Sequence, residues 1–160
     1  AYARILTTRL GLKTLKRLTP LARVLAAQDP AGDLWKKDPD ACCNLRKVAP
    51  LAGAAKEYAL LVTGRKRSHG EGRAELPALE YDGQYRLNPL WNWSEQDVAA
   101  YFAAHDLPPH PLVAEGYRSL GCAPCTAPAQ GGCVRSGRWA GTEKTECGIH
   151  RPQALKVSSI

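Results

Sequence analysis

The sequence predicts an α/β fold in which helices alternate with short strands around a parallel sheet. Residues 58–63 form a continuous apolar run that Gly64 ends, which is typical of a strand buried on both faces of such a sheet. Helix-like patterns precede and follow this run. After His105, proline, glycine and alanine dominate residues 107–141, and this composition predicts a loop-rich C-terminal part.

The first elements follow from apolar spacing. One helical face carries Tyr2, Ile5, Leu6 and Leu10. Gly11 is a plausible end for this helix. We expect a short strand over residues 14–18 and a second helix over residues 20–27, whose Pro20 suits a first turn.

A third helix is expected to begin at Asp38, with Pro39 in its first turn, and to carry Cys42 and Cys43. Pro50 is expected to interrupt or restart it. Neighbouring side chains on a regular helix diverge by about 100°. The adjacent cysteines therefore predict either a distorted backbone near Cys42 or a metal centre larger than one ion.

Two strands are expected over residues 79–81 and 85–88, on either side of an Asp82-Gly83 turn. Ser94 is then expected to cap a helix over residues 95–104, with Asp97 as its capping-box partner. The predicted buried stripe of this helix consists of Val98, Tyr101 and Phe102.

Composition limits the class of protein. The chain has 160 residues, 44% of them hydrophobic, which suits one ordinary core. Its 22 lysines and arginines against 15 acidic residues give a net charge of +7 and favour anionic ligands. No apolar run approaches the roughly 20 residues that span a bilayer. We expect a soluble, cytoplasmic protein whose cysteines bind metal rather than form disulfides.

Four cysteines form the strongest signal for a site: Cys42, Cys43, Cys122 and Cys125. A Cys-x-x-Cys loop lets two sulfurs converge on one centre, and a set made only of thiolates favours zinc or an iron–sulfur cluster. The residues alone leave these two alternatives open. A zinc ion in this place would only stabilise the fold.

Several motifs together resemble the assimilatory adenylyl-sulfate reductases across nearly the whole chain. They are Asp-Pro-Asp-Ala-Cys-Cys-Asn-Leu-Arg-Lys-Val (38–48), Val-Thr-Gly-Arg-Lys-Arg (62–67), Asn-Pro-Leu with Trp-Ser-Glu-Gln-Asp-Val (88–98), Gly-Cys-Ala-Pro-Cys-Thr (121–126), Gly-Arg-Trp (137–139) and Glu-Cys-Gly-Ile-His (146–150). The resemblance implies a PP-loop fold of the adenine nucleotide alpha-hydrolase type.

The resemblance also implies an organisation into two parts. We expect residues 1–128 to form a partial α/β reductase domain and residues 129–160 to form a mobile tail that carries the catalytic cysteine. The family carries a strand and a phosphate-binding loop upstream, and nothing in the printed sequence matches that loop. We therefore expect that segment to be missing from the printed chain.

In the resembled family the four cysteines hold a [4Fe-4S] cluster, and its presence favours adenylyl sulfate over the 3′-phosphorylated nucleotide as substrate. Lys47 is implied to link cluster and substrate electrostatically. The implied substrate ligands are Arg65, Arg73, Arg135 and Arg138. Ser68-His69 departs from the family, where an aromatic residue and glutamine are frequent, so the contacts of this loop are left open.

Cys147 is implied to be the nucleophile, with His150 and nearby cations favouring its thiolate. Attack on the sulfate sulfur forms an S-sulfocysteine and releases AMP. Thioredoxin or a similar dithiol then releases sulfite for cysteine biosynthesis. Cys133 has no place in this scheme, and we expect an ordinary free thiol there.

Two alternatives compete with this interpretation. One is a 3′-phosphoadenylyl-sulfate reductase, which the cluster cysteines disfavour. The other is a basic, metal-stabilised nucleic-acid-binding module, which gives Cys147 no role and lacks interleaved stacking aromatics. We therefore expect neither a nucleic-acid nor a membrane partner, and we leave a homo-oligomer open.

Overall fold

The structure is a computed structural model, and it describes residues 1–131 and 133–150. The described helices are α1 (Tyr2–Arg9), α2 (Ala22–Gln28), α3 (Leu34–Lys37), α4 (Pro39–Cys43), α5 (Ala49–Ala55) and α6 (Glu95–Ala104). The strands are β1 (Leu60–Val62), β2 (Leu79–Tyr81) and β3 (Tyr85–Leu87). None of the described helices has the length and apolar character needed to cross a membrane.

The chain divides into two compact units that interleave along the sequence. Unit 1 contains residues 1–17, 65–76 and 90–145, and unit 2 contains residues 18–64, 77–89 and the C-terminal residues from 146. The expected division into residues 1–128 and 129–160 stays a prediction. Residues 151–160 of the expected tail lie outside the described residues.

The sheet belongs to unit 2 and has the strand order β1-β3-β2. β1 runs parallel to β3, with Leu61 opposite Arg86, whereas β2 and β3 form an antiparallel hairpin. The Asp82-Gly83 turn is thus confirmed, and Gly83 adopts a φ of 94° there. The fold is mixed α/β, as the sequence predicts.

The burial expected for the apolar run is wrong. This run does form β1, but Leu60 is 42% exposed and Val62 is 65% exposed. A fully buried side chain next to the sheet is instead polar, that of Asn88 directly after β3. Asn88 accepts a hydrogen bond from Thr63 Oγ1 at 2.5 Å and donates one to the Pro77 carbonyl at 2.9 Å. A buried amide needs such partners to offset its lost hydration.

Residues 39–55 form one helical segment, also in unit 2. α4 leads directly into a π-helical stretch, Asn44–Val48, which leads into α5. Pro50 lies in the first turn of α5, where the α-helix restarts after the π-helical stretch, which is one of the two outcomes expected for this proline. Proline lacks the N–H of an α-helical bond, and the wider π turn just before it suits this gap.

Unit 1 contains α1 and α6. Ser94 caps α6 in a complete capping box, with Asp97 N donating to Ser94 Oγ at 3.1 Å and Ser94 N donating to Asp97 Oδ2 at 2.8 Å. The expected buried stripe is wrong for Tyr101 and Phe102, which are 45% and 37% exposed. The strand expected over residues 14–18 is also wrong, because the backbone there is irregular.

Candidate functional site

Cys42 and Cys43 lie at the end of α4, whose start is fixed by a side-chain cap. Asp38 Oδ1 accepts a 2.9 Å hydrogen bond from Ala41 N, and Pro39 occupies the first turn, as the sequence predicts. Cys43 is buried and Cys42 is half-buried. The cap therefore fixes where α4 begins, and with it the positions of Cys42 and Cys43 on the helix.

The backbone changes from α to π immediately after Cys43. Of the two alternatives predicted from the adjacent cysteines, the structure shows a distorted backbone, which occupies Asn44–Val48, and the larger metal centre stays a prediction. Such π turns inside helices are frequent at functional sites. Lys47 lies within this turn and is half-buried.

Arg46 connects the π turn to a buried acid of the same unit. Its Nη1 lies 3.8 Å from Cys42 Sγ, and its Nη2 forms a 2.7 Å ion pair with Asp29 Oδ2. Burial alone lowers the pKa of Arg46, but Asp29 and Cys42 outweigh it and raise that pKa. Burial also opposes ionisation of Asp29, and hydrogen bonds from Leu34 N and Arg46 outweigh it and lower the pKa of Asp29.

Cys122 and Cys125 lie in unit 1 at the two ends of a tight loop. A 3₁₀ turn, Ala123–Cys125, closes it with a 2.9 Å hydrogen bond from Cys125 N to the Cys122 carbonyl. Thr126 Oγ1 donates to the same carbonyl at 2.9 Å. Both cysteines are half-buried free thiols.

The backbone of residues 137–139 forms hydrogen bonds with the end of this loop. Trp139 N donates to the Cys125 carbonyl at 3.1 Å, and Ala127 N donates to the Gly137 carbonyl at 2.8 Å. A Cβ at Gly137 would collide with the Ala127 carbonyl oxygen, so this close backbone pairing requires glycine.

The four predicted metal ligands are divided between the two units. Cys42 and Cys43 belong to unit 2, whereas Cys122 and Cys125 belong to unit 1. Across residues 1–131 and 133–150, no three histidine, cysteine or acidic side chains are arranged to hold a metal ion. The four-cysteine centre therefore stays a prediction.

Three cations of unit 1, Lys66, Arg73 and Arg135, surround His69; we name them the basic group. Arg73 Nη1 lies 3.1 Å from His69 Nδ1. Burial first, and then the positive charges of Lys66, Arg73 and Arg135, lower the pKa of His69 to about 4. Burial, followed by the charge of Arg73, also lowers the pKa of Lys66. Like charges held this close favour an anion among them.

Two further cations of the loop after β1 have fixed side chains. Arg65 is 7% exposed. Arg67 Nε donates to the Leu76 carbonyl at 2.9 Å, and its guanidinium lies 4.3 Å from the Trp91 ring. Of the predicted anion ligands, Arg73 and Arg135 thus flank one histidine, and Arg65 lies in the same unit.

Three cations of unit 1 lie near the ring of Trp139. It is 5% exposed, and the guanidinium of Arg138 lies 4.4 Å from its ring. Arg135 and Lys144 lie 5.9 and 5.7 Å from the same ring. Arg135 Nη2 also donates to the Thr145 carbonyl at 2.7 Å, which fixes its direction.

Cys147 is a half-buried free thiol of unit 2, followed by Gly148, which has a φ of 86°. His150 is also half-buried and is the last described residue. Cys133 in unit 1 is exposed and free, in line with the expectation of an ordinary thiol.

Sequence reasoning assigned no role to Arg46 or His69. The spacing of Arg46 four residues after Cys42 on a helix was a usable signal, because such residues share a face. No comparable signal marked His69. Its position among three cations depends on Arg135, which is 66 positions further along the chain.

Comparison with known proteins gives a consistent result. The family profile described as phosphoadenosine phosphosulfate reductase domain matches residues 1–128. The chain is 50% identical to the adenosine 5′-phosphosulfate reductase of Chelativorans sp. (strain BNC1), over 94% of this chain and 62% of that protein. It is 48% identical to the enzyme of the same name from Mesorhizobium japonicum, over 98% of this chain and 62% of that protein.

A solved structure is also similar. The phosphoadenylyl-sulfate reductase of Candida auris, crystallised as a phosphate complex, matches with a TM-score of 0.58 and 26% identity. The match covers 78% of this chain and 63% of the other. This chain thus spans about three-fifths of the length of the curated relatives it matches.

Proposed function

The chain belongs to the phosphoadenosine phosphosulfate reductase family, and from this we propose that it reduces adenosine 5′-phosphosulfate to sulfite and AMP in sulfate assimilation. The observation that carries the proposal is the near 50% identity, over almost the whole chain, to relatives named for this reaction. The proposed reaction takes place in the cytoplasm, with thioredoxin or a similar dithiol as reductant.

The basic group supports an anionic substrate. Lys66, Arg73 and Arg135 concentrate positive charge around a histidine whose pKa is about 4, so His69 is neutral near pH 7 and adds no further repulsion. An arginine guanidinium can donate two parallel hydrogen bonds to two oxygens of one phosphate or sulfate group. We propose that Arg65, Arg73, Arg135 and Arg138 bind the phosphosulfate, with Lys66 adding to their field.

Cys147 is the proposed nucleophile. Its thiolate attacks the sulfate sulfur, an S–S bond forms, the bond from sulfur to the bridging oxygen breaks, and AMP leaves with that electron pair. His150 is proposed to assist Cys147 in this step. A thiolate of the dithiol then attacks Cys147 Sγ and expels sulfite, and its second thiol releases Cys147 as the dithiol becomes a disulfide.

The proposed cofactor is a [4Fe-4S] cluster held by Cys42, Cys43, Cys122 and Cys125. The donor chemistry fits, because all four residues are cysteines and the Arg46 guanidinium beside Cys42 favours the thiolate that binds iron. When bound, the cluster supplies fixed charge near the substrate rather than electrons. Lys47, in the π turn after Cys43, is proposed to add a positive charge on the substrate side.

The reaction is tested by measuring sulfite from purified protein, thioredoxin and either adenosine 5′-phosphosulfate or its 3′-phosphorylated form. Cys147→Ser should make no sulfite above background. Cys133→Ser, which alters an exposed thiol, is the matched control and should be active. A Cys147→Ser rate equal to that of the wild type would reject the nucleophile.

The name of the Candida auris neighbour favours the 3′-phosphorylated nucleotide as the second candidate substrate. A kcat/KM at least about tenfold higher for adenosine 5′-phosphosulfate, roughly 1.4 kcal/mol of discrimination, is the expected result. The reverse preference would establish the second candidate instead.

A further inference from the structure

The Arg138 side chain holds the backbone on both sides of the Cys122–Cys125 loop. Its Nη1 donates a 2.8 Å hydrogen bond to the Leu120 carbonyl, two residues before Cys122. Its Nε donates a longer 3.4 Å hydrogen bond to the carbonyl of Cys125. One guanidinium thus spans the loop that presents both thiols.

The main chain around Arg138 also pairs with this loop, but independently of the side chain. Thr126 and Arg138 form an isolated antiparallel bridge, and Trp139 N donates to the Cys125 carbonyl at 3.1 Å. These contacts remain when only the side chain of Arg138 is changed. A substitution there consequently isolates the contribution of the guanidinium.

Gly121 lies against the same guanidinium. A Cβ at this position would overlap Cζ and both terminal nitrogens of Arg138. The φ of Gly121 lies outside the left-handed region, so the backbone itself accepts alanine. The obstructing atoms are the end of a flexible side chain. Alanine at Gly121 would therefore displace the Arg138 guanidinium and leave the backbone in place.

We propose that Arg138 is a positioning residue that fixes the Cys122–Cys125 loop for metal binding, in addition to any contact with substrate. The planar fork of arginine reaches two carbonyls at once, which the single ammonium of lysine does not. The Trp139 ring, 4.4 Å from the guanidinium, restrains its plane. The inference rests on the proposed function only for the identity of the metal centre.

The first test uses metal-free protein and the rate at which iodoacetamide alkylates Cys122 and Cys125. Arg138→Lys keeps the charge but cannot donate to both the Leu120 and Cys125 carbonyls. Both alkylation rates should therefore rise about tenfold, which is the effect of losing one hydrogen bond from a charged donor. Arg118→Lys, which changes an exposed partner of Glu95, is the matched control and should leave both rates unchanged. Unchanged rates in Arg138→Lys would overturn the proposal.

Gly121→Ala provides an independent second variant. It should speed alkylation of the same two cysteines with the Arg138 side chain intact. The double variant Gly121→Ala/Arg138→Lys should be no faster than Arg138→Lys, because both changes remove one interaction. Additive effects would show that the glycine and the arginine act separately, and would reject the guanidinium as the cause.

Reconstitution with iron and sulfide separates this proposal from the proposed cofactor. Arg138→Lys should retain several-fold less iron per chain than wild type and give an altered electron paramagnetic resonance spectrum of the reduced cluster, whereas Arg118→Lys should match wild type. Wild-type protein that binds no iron, but still shows the alkylation contrast, would reject the cluster and keep the positioning role. If the wild type does bind iron, equal iron content and equal spectra in Arg138→Lys and wild type would overturn the positioning role of Arg138.

Discussion

Arg46 and Asp29 form a 2.7 Å ion pair in which the Asp29 side chain is only 2% exposed, and the other guanidinium nitrogen of Arg46 lies 3.8 Å from Cys42 Sγ. The acid therefore fixes the cation that lies beside one of the proposed iron ligands. Because Leu34 N also donates to Asp29 at 3.1 Å, the carboxylate is held from two sides.

The first prediction concerns this pair. Asp29→Asn keeps an acceptor for Leu34 N but removes the charge that holds Arg46, so the urea midpoint at pH 7 should fall. The pKa of Asp29 is lower in the folded than in the unfolded protein, so its stabilisation is present above about pH 3.8 and is lost as the pH falls through the folded value. The midpoints of the variant and wild type should therefore converge in acid.

Asp33→Asn is the control for that measurement, because its partner Lys37 is exposed and the pair is of the weak surface type. Its midpoint should stay near that of wild type. An Asp29→Asn midpoint as high as that of Asp33→Asn would contradict the role given to the buried pair.

The second prediction is a pH dependence of stability from His69. Its pKa is about 4 when folded and about 6.5 when unfolded, so between these values only the unfolded chain takes up the proton. Stability should consequently fall as the pH is lowered from 7 to 5. His69→Gln removes the titrating group, and its urea midpoint should depend less on pH over this range. An equal pH slope in both proteins would place His69 outside the basic group.

The third prediction concerns AMP binding by the basic group. Arg135→Lys keeps a positive charge but loses the fork, and its Kd for AMP should rise roughly tenfold, measured by calorimetry. The iron content should stay at the wild-type level, in contrast to Arg138→Lys. An unchanged Kd in Arg135→Lys, with Arg118→Lys as the reference, would remove Arg135 from the substrate site.

The fourth prediction is local to α6. Ser94→Ala removes the hydroxyl that accepts from Asp97 N, while the backbone N–H of residue 94 can still donate to Asp97. The loss should cost about 1 kcal/mol of unfolding free energy. Gln96→Ala changes an exposed residue of the same first turn and should cost much less. Equal losses in urea denaturation would show that the cap adds nothing beyond helix propensity.

Local signals in the sequence were sufficient where the interaction itself is local. The caps at Asp38 and Ser94, the Asp82-Gly83 turn and the distortion beside Cys42 each depend on residues within a few positions of one another. Side-chain chemistry and spacing determine such features before any tertiary packing forms.

Features that depend on distant partners were not predictable in the same way. Residues 14–18 have apolar and basic residues but form no strand, because a strand needs a neighbour to satisfy its hydrogen bonds. The helical spacing of Tyr101 placed it on one face but could not say what covers that face. Its ring instead contacts Trp93 and His105 while remaining 45% exposed.

The proposed site shows the same limit. Motif resemblance selected its cysteines and arginines, but it could not reveal that Arg138 reaches the carbonyls of Leu120 and Cys125. These contacts join segments 13 to 18 residues apart through a single side chain. Only the folded backbone brings them together.

The most direct test of the central claim is mass spectrometry of the protein mixed with adenosine 5′-phosphosulfate in the absence of any dithiol. Without the reductant the reaction should stop at the S-sulfocysteine. The account predicts one added SO3 group that maps to Cys147 and disappears when thioredoxin is added. An adduct on Cys133 instead, or no adduct in protein that does make sulfite once thioredoxin is present, would contradict it.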